Sequence, residues 1–316
     1  MLKLKCPFCD SEYGLTEPHS CLGMTMAGRL SAFKSAKPDL HSPEEMVLLL
    51  SDLQPGLRTE TYNVDEFVAR MRRLTSAVIR LREIHAADRA IETLHIAALG
   101  DFVEGEPFTH RINLSEMATK DDRPFDILAQ KRLVVEECSN LIEKCSTVFK
   151  RIRFTGVYGN HGAARSLDAS KRSNDDTEIY YALADRFRGD SKVVFEIDPN
   201  RFYQILEVCG HKFLLVHGHQ VRMWTRTPLY GIINIVTLWH QAIPDPFEYV
   251  LLGHFHALNY LNAVGTPVYL NGAFVDDDEY GMVRGLKATA AQWVSGVHPK
   301  YGAVWERRVW LKKEEK

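Results

Sequence analysis

The sequence predicts an α/β fold, and three observations predict it. Short apolar runs alternate along the chain with stretches of helical periodicity. Several of those runs stop at Gly-Asp, Gly-Asn or Gly-His, the kind of punctuation that ends a buried strand and opens a loop. Of 316 residues, 45% are hydrophobic and 25% charged, so the chain can bury a full core without disulfide staples.

The elements follow in order. Residues 1–30 hold a cysteine cluster and stand apart from the rest. Residues 31–45, polar and containing Pro38 and Pro43, predict a linker, and 46–316 predict the main domain. Met46–Leu50 (MVLLL) predicts a buried strand ending at Ser51-Asp52. From Val64 to about Ala87, the residues Val68, Met71, Leu74, Val78, Leu81 and Ile84 recur at threes and fours, which predicts an amphipathic helix. Leu94–Leu99 predicts a strand ending at Gly100-Asp101. Asp121, Asp122 and Pro124 predict the start of a helix running to about Lys150. Cys138 and Cys145 share its apolar stripe with Val134, Leu141 and Val148, so they are expected in the core. Ile152–Tyr158 predicts a strand ending at Gly159-Asn160, and Asp175–Arg188 a helix. Val193–Ile197, Phe202–Val208 and Lys212–His217 predict strands, the last two turning at Gly210-His211. Tyr249–Leu252, ending at Gly253-His254, and Val268–Leu270 complete the set.

Composition excludes several functions. Lys plus Arg is 39 and Asp plus Glu is 41, a formal net charge of −2. A protein that coats nucleic acid by bulk charge is far more basic, so any such contact must be a local patch. No apolar run reaches the roughly 18–20 residues that span a bilayer. The opening MLKLKCPFCD lacks the apolar centre of a signal peptide. No membrane association and a cytoplasmic location are expected.

Five apolar runs end in residues able to bind a metal: LLLSDLQ (Asp52, Gln54), AALGD (Asp101), GVYGNH (Asn160, His161), LLVHGH (His217, His219) and LLGHFH (His254, His256). Loops at the carboxyl ends of strands are where α/β folds build their sites. Taken singly, Asp52 is as readily a cap or turn residue. Together, the residue types suit two divalent ions about 3.5–4 Å apart, which clamp a phosphoester and activate water between them. One carboxylate must bridge the ions. Imidazoles and an amide complete the shells without repelling an anionic phosphate, and a further histidine can protonate the leaving oxygen.

The order D-x-Q, GD, GNH, HGH, GHFH resembles the calcineurin-like metallophosphoesterases, from about Met46 to the C-terminus. The tail, with Asn271-Gly272, Asp278-Glu279-Tyr280 and Gln292-Trp293, further resembles an uncharacterised, largely bacteriophage-encoded subgroup. The resemblance implies a two-sheet sandwich flanked by helices with the site at one rim, and, for a phage protein, residence in the host cytoplasm. It implies one ion held by Asp52, Gln54, Asp101 and His256. The second would take Asp101, Asn160, His217 and His254, with His161 assisting the leaving group and metal-bound hydroxide attacking. Two departures stand out. Gln54 replaces the family's usual histidine; its harder amide oxygen shifts preference from Zn²⁺ toward Mn²⁺ or Mg²⁺, with Ni²⁺ and iron as further options. Gly162 stands where an acidic residue often follows GNH, so an acidic partner for His161 must come from elsewhere, and Glu104 in GDFVEG is near the place where relatives carry one.

Arg165, with Lys171 and Arg172, and Arg222, with Arg226, are candidate phosphate contacts, or solvated loop cations. His219 is a phosphate contact or a structural histidine. Trp224 is a stacking residue or packing. Cys6, Cys9, His19 and Cys21 predict a small zinc knuckle, since C-x2-C presents two thiolates to one ion. The expected function is a dinuclear phosphoesterase acting on a phosphodiester in nucleic acid or a nucleotide. The alternatives are a Mn-dependent nucleotide-diphosphate hydrolase of the ADP-ribose type, suggested by Gln54, and a non-catalytic nucleic-acid- or protein-binding module centred on the knuckle.

Overall fold

β3 (Glu44–Leu50) shows how the pattern becomes layers. The computed structural model describes residues 3–5, 12–14, 42–105, 119–120, 123–163, 173–222, 228–276 and 288–312. Within β3, Met46, Leu48 and Leu50 pack against helices on one face, while Val47 and Leu49 pack against a second sheet on the other. A strand buried on both faces has no reason to alternate, hence MVLLL. Each fully buried aliphatic side chain stabilises by about 1.5–3 kcal/mol.

Six strands form the first sheet, in the order β15-β14-β3-β4-β7-β8. Here β4 is Ile91–Ala98, β7 Arg151–Gly156 and β8 Val193–Ile197, all parallel to β3. β14 (Ala291–His298) and β15 (Gly302–Trp310) close the other edge antiparallel. Five strands form the second sheet, β12-β13-β11-β10-β9. They are β9 (Tyr203–Val208), β10 (His211–Val216), β11 (Tyr249–Leu252), β12 (Asn259–Ala263) and β13 (Thr266–Leu270), with β10, β11 and β13 parallel. Val47, Leu49, Ala97 and Leu99 meet Leu206, Phe213, Leu215 and Leu251 between the sheets.

Three helices cover the outer face of the first sheet: α1 (Val64–His85), α2 (Ile127–Cys145) and α3 (Asp175–Arg186). Their caps are Asn63, Asp126 and Asn174, each accepting from a first-turn amide. α4 (Leu229–Ala242) covers the second sheet with Ile232, Val236 and Trp239. The result is an α/β/β/α sandwich, and Cys138 and Cys145 are buried in the helix–sheet core.

The structure corrects three expectations. β3 begins at Glu44, inside the segment 31–45 that composition marks as linker. α2 begins at Ile127, because Asp126 rather than Asp121 or Asp122 caps it; Thr119–Lys120 (β5) and Arg123–Pro124 (β6) pair instead as short strands. α4, β12, β14 and β15 have no counterpart among the expected elements.

A buried polar network ties the two sheets together beneath Asp52. Gln292 Oε1 accepts from Ser51 N (3.0 Å) and Asn271 Nδ2 (2.7 Å), and its Nε2 donates to the carbonyls of Gly272 and Ala291 (both 3.0 Å). Asn271 Oδ1 accepts from Trp293 N (3.0 Å). The ends of β3, β13 and β14 are thus fixed to one another, and pairing both ends of the Gln292 amide removes the penalty of burying it.

Residues Met1–His41 form a separate unit, in which β1 (Lys3–Lys5) pairs antiparallel with β2 (Glu12–Gly14). The site described next belongs wholly to the unit Ser42–Lys316. No helix among the described residues is long and apolar enough to cross a membrane.

Candidate metal centre

The loops that leave β3, β4, β7, β10 and β11 at their carboxyl ends carry Asp52 and Gln54, Asp101, Asn160 and His161, His217, and His254 and His256. Five of these residues have left-handed backbone: Asp52 (φ 54°), Gln54 (41°), Asp101 (54°), His254 (70°) and His256 (55°). Among the described non-glycine residues only Cys209 and Val264 share it. Such conformations cost about 1–3 kcal/mol each and persist where the surroundings impose them, as at functional sites. The surroundings are identifiable: Asp52 N donates to Gly100 O (3.0 Å), Leu53 N to Asp101 O (2.9 Å), Phe274 N to Asp52 O (2.9 Å) and Thr289 N to His256 O (2.7 Å). Close approach also requires glycine. A Cβ on Gly159 would lie 2.1 Å from Asp101 Oδ1.

One group of three His, Cys, Asp or Glu side chains among the described residues brings all its ligand atoms within 4.8 Å of each other: Asp101, His217 and His254. Asn160 joins it, with Oδ1 3.1 Å from His217 Nε2. These are the four residues expected around the second ion. The other expected set is more open. His256 Nε2 lies 3.4 Å from Asp52 Oδ1, and Asp52 accepts from His254 N (3.2 and 3.3 Å), but Asp52, Asp101 and His256 do not form a second such group. Gln54 is 1% exposed and its Oε1 has no hydrogen-bond partner.

The donor chemistry fits a cation. His217 Nδ1 donates to Leu99 O (2.6 Å), which leaves Nε2 as the free ring nitrogen. That nitrogen faces Asn160 Oδ1 and, at 2.9 Å, Asp101 Oδ2. Asp101 Oδ2 has no aligned donor, and Asp101 is 1% exposed. Lone pairs converge there, so a proton or a metal ion must lie among them. Burial lowers the His217 pKa, yet the Asp101 carboxylate outweighs it and holds it up at about 9. Burial raises Asp101, but the His217 and His161 charges pull it well below the usual carboxylate range. His254 is held well below the usual histidine value, first by burial and then by His217, and so stays a neutral imidazole.

His161 stands beside this group, 30% exposed, with Nε2 4.0 Å from Asp101 Oδ2. Its backbone N donates to Asp101 Oδ1 (2.8 Å) and its Nδ1 to Glu104 O (3.0 Å). The Glu104 carboxylate, 4% exposed, lies 3.4 Å from the same Nδ1. Burial lowers the His161 pKa, but Glu104 and Asp101 outweigh it and hold it well above the ordinary value. The structure also explains Gly162. A Cβ there would come within 2.8 Å of Asn174 Oδ1, so no acidic side chain fits after GNH.

His219 is exposed, its ring 5.5 Å from His217 and 6.3 Å from His254. Protein packed around part of the ring, which strips water from it, and then the His217 charge push its pKa down to about 4. Arg222 is exposed on the following loop, its carbonyl packed where a Gly231 side chain would go. Arg165, Lys171, Arg172, Trp224, Arg226 and the cluster Cys6, Cys9, His19 and Cys21 lie outside the described residues.

Sequence reasoning missed the residues that hold the loops. Gln130 on α2 is fully buried; its Oε1 accepts from Glu104 N (3.0 Å) and Gly105 N (3.2 Å) and its Nε2 donates to Gly105 O and Phe125 O. Asn174 and Asp176 at the start of α3 grip the loops of Asp101 and Asn160. Only the acidic first turn of α3 signals them, and that reads equally as ordinary capping.

No family model and no curated protein matches the chain. Solved structures do. Vacuolar protein sorting 29 from Cryptosporidium parvum is 14% identical over 81% of this chain and 86% of that one, with a TM-score of 0.39. A novel archaeal phosphodiesterase is 14% identical over 83% and 99%, with a TM-score of 0.39. A conserved protein of Streptococcus pneumoniae described as a predicted phosphoesterase is 11% identical over 84% and 98%, with a TM-score of 0.33.

Proposed function

We propose that the protein is a dinuclear metal-dependent phosphoesterase, and that its substrate is a phosphodiester in nucleic acid or a nucleotide. The convergence of Asp101 Oδ2, Asn160 Oδ1 and His217 Nε2 on one point, with His254 beside them, carries the reading. Asp101, Asn160, His217 and His254 would hold one divalent ion. Asp52, Gln54 and His256, together with Asp101, would hold the other, and the buried, partnerless Oε1 of Gln54 supports a hard-donor position suited to Mn²⁺. When bound, the two ions neutralise phosphoryl charge and acidify water.

The chain's own residues do the rest. Two ligand carboxylates against two dications leave a net positive site, which draws in an anionic phosphate. Glu104 and its carbonyl hold His161 Nδ1, which leaves Nε2, 4.0 Å from Asp101 Oδ2, to give a proton to the leaving oxygen. His219 and Arg222 are candidates to hold non-reacting phosphate oxygens. The intact ligand set argues against a non-catalytic scaffold.

The substrate class is tested by turnover of short single-stranded DNA and RNA beside ADP-ribose, with Mn²⁺, over rising salt. A nucleic-acid substrate is expected to show kcat/KM falling with a slope near −0.7 per phosphate contacted, on logarithmic axes. Preference for ADP-ribose with a flat salt profile would move the reading to a small-molecule hydrolase.

A further inference from the structure

Asp176 is a fully buried carboxylate outside the expected ligand sets. It sits at the second position of α3, where an acidic side chain ordinarily faces the helix's own first-turn amides. Here it points away from the helix. Its Oδ2 accepts from Asp101 N (3.0 Å) and Gly159 N (2.7 Å), and its Oδ1 accepts from Phe102 N (2.8 Å). One side chain therefore joins the loop after β4 to the loop after β7. Those loops carry the shared ligand Asp101 and the pair Asn160-His161.

Asn174 doubles the grip. Its Oδ1 accepts from Asp176 N (2.9 Å) while its Nδ2 donates to Gly159 O (3.0 Å), so the N–H and the C=O of Gly159 are both held by the start of α3. Tyr180, one turn on, donates to Val157 O (3.0 Å). A buried carboxylate is costly, and Asp176 lies near Asp101, a like charge. A neutral side chain would satisfy a helix start at no such cost. What the carboxylate adds is three charge-assisted bonds, shorter and about twice as strong as neutral ones.

We infer that Asp176 is a positioning residue, which sets the spacing of Asp101 from Asn160 and His161 and so the geometry of the metal pair. This inference rests on the phosphoesterase reading above. An outer partner of this kind is typically worth ~10–100-fold in metal affinity or activity.

The test compares wild type, D176N, N174S and K131A as full chains. It follows Mn²⁺ binding by calorimetry, kcat and KM for bis(p-nitrophenyl) phosphate, and the electron paramagnetic resonance of the Mn²⁺-loaded protein. The D176N substitution keeps the side chain's shape but turns an amide N–H toward a backbone N–H. D176N is expected to lose ~10–100-fold in kcat or Mn²⁺ affinity, to hold KM within about 3-fold, and to change the Mn²⁺ spectrum. K131A loses the ion pairs from Lys131 to Asp175 and Glu178, which brace the same helix, and is expected to melt lower with kcat unchanged. D176N that folds, with wild-type kcat, Mn²⁺ affinity and spectrum, overturns the inference. So does a fall in kcat of K131A equal to that of D176N. If D176N does not fold, N174S decides: it keeps the cap and loses only the bond to Gly159 O, and unchanged kcat overturns the inference. If wild type binds Mn²⁺ but turns over nothing with Mn²⁺, Mg²⁺, Zn²⁺ or Ni²⁺, the failure lies with the activity reading, and Mn²⁺ affinity and spectrum alone then judge Asp176.

Discussion

Asp101→Asn is expected to abolish tight binding of at least one metal ion and to lower kcat/KM by ~1,000-fold or more. Partners that merely touch a ligand cost ~10–100-fold, and Asp101 is proposed as the ligand shared by both ions. The geometry shows why an amide cannot stand in. Asp101 Oδ1 accepts from His161 N at 2.8 Å, and Oδ2 faces His217 Nε2 at 2.9 Å. Asparagine must turn its N–H either into His161 N–H or toward the cation position. Its oxygen, wherever it points, carries no full charge to offset two dications. Calorimetric Mn²⁺ titration of the purified variant, with circular dichroism to verify the fold, checks this. Two full-affinity sites in Asp101→Asn would remove Asp101 from the shared position.

His161→Ala is expected to behave differently. The alanine keeps the backbone N–H that donates to Asp101 Oδ1, so Mn²⁺ affinity should stay within about 3-fold of wild type. Loss of a general acid costs ~10²–10⁴-fold. The size of the loss depends on the leaving group. A p-nitrophenolate leaves without much help, whereas the alkoxide of a dinucleotide needs a proton. The kcat loss should therefore be at least ~10-fold larger for a dinucleotide than for bis(p-nitrophenyl) phosphate. Equal losses on both substrates would assign His161 to phosphate binding instead of proton transfer. Glu104→Gln should give a smaller loss with the same leaving-group dependence, because the Glu104 carbonyl still accepts from His161 Nδ1.

Much of the fold was legible because burial writes a pattern. β3, β4, β7, β10 and β11 are short apolar runs with abrupt polar ends, and α1 keeps its threes and fours over 22 residues. What stayed hidden has physical reasons. α4 is apolar nearly all round, from Leu229 through Ile232, Ile233 and Ile235 to Trp239, so no stripe marks it, and Gly231 interrupts its first turn. β14 contains Ser295 and Gly296, which read as a turn. In fact Gly296 is required because the Trp305 indole lies 2.1 Å from where a Cβ would be. For the site, Asp, Asn and His after Gly at strand ends stand out in one dimension. Gln130, Asn174 and Asp176 do not, since the loops they hold are reached through backbone groups 15 to 75 residues away, and nothing in a helix's first turn announces which loop it will hold.

The most direct measurement is hydrolysis of bis(p-nitrophenyl) phosphate by the full chain, first stripped with chelator and then reloaded with Mn²⁺. The stripped protein is expected to show no turnover and Mn²⁺ to restore it, saturating at two ions per chain. Absence of turnover with Mn²⁺, Mg²⁺, Zn²⁺ and Ni²⁺ alike, together with no Mn²⁺ binding, would rule out a metal-dependent phosphoesterase.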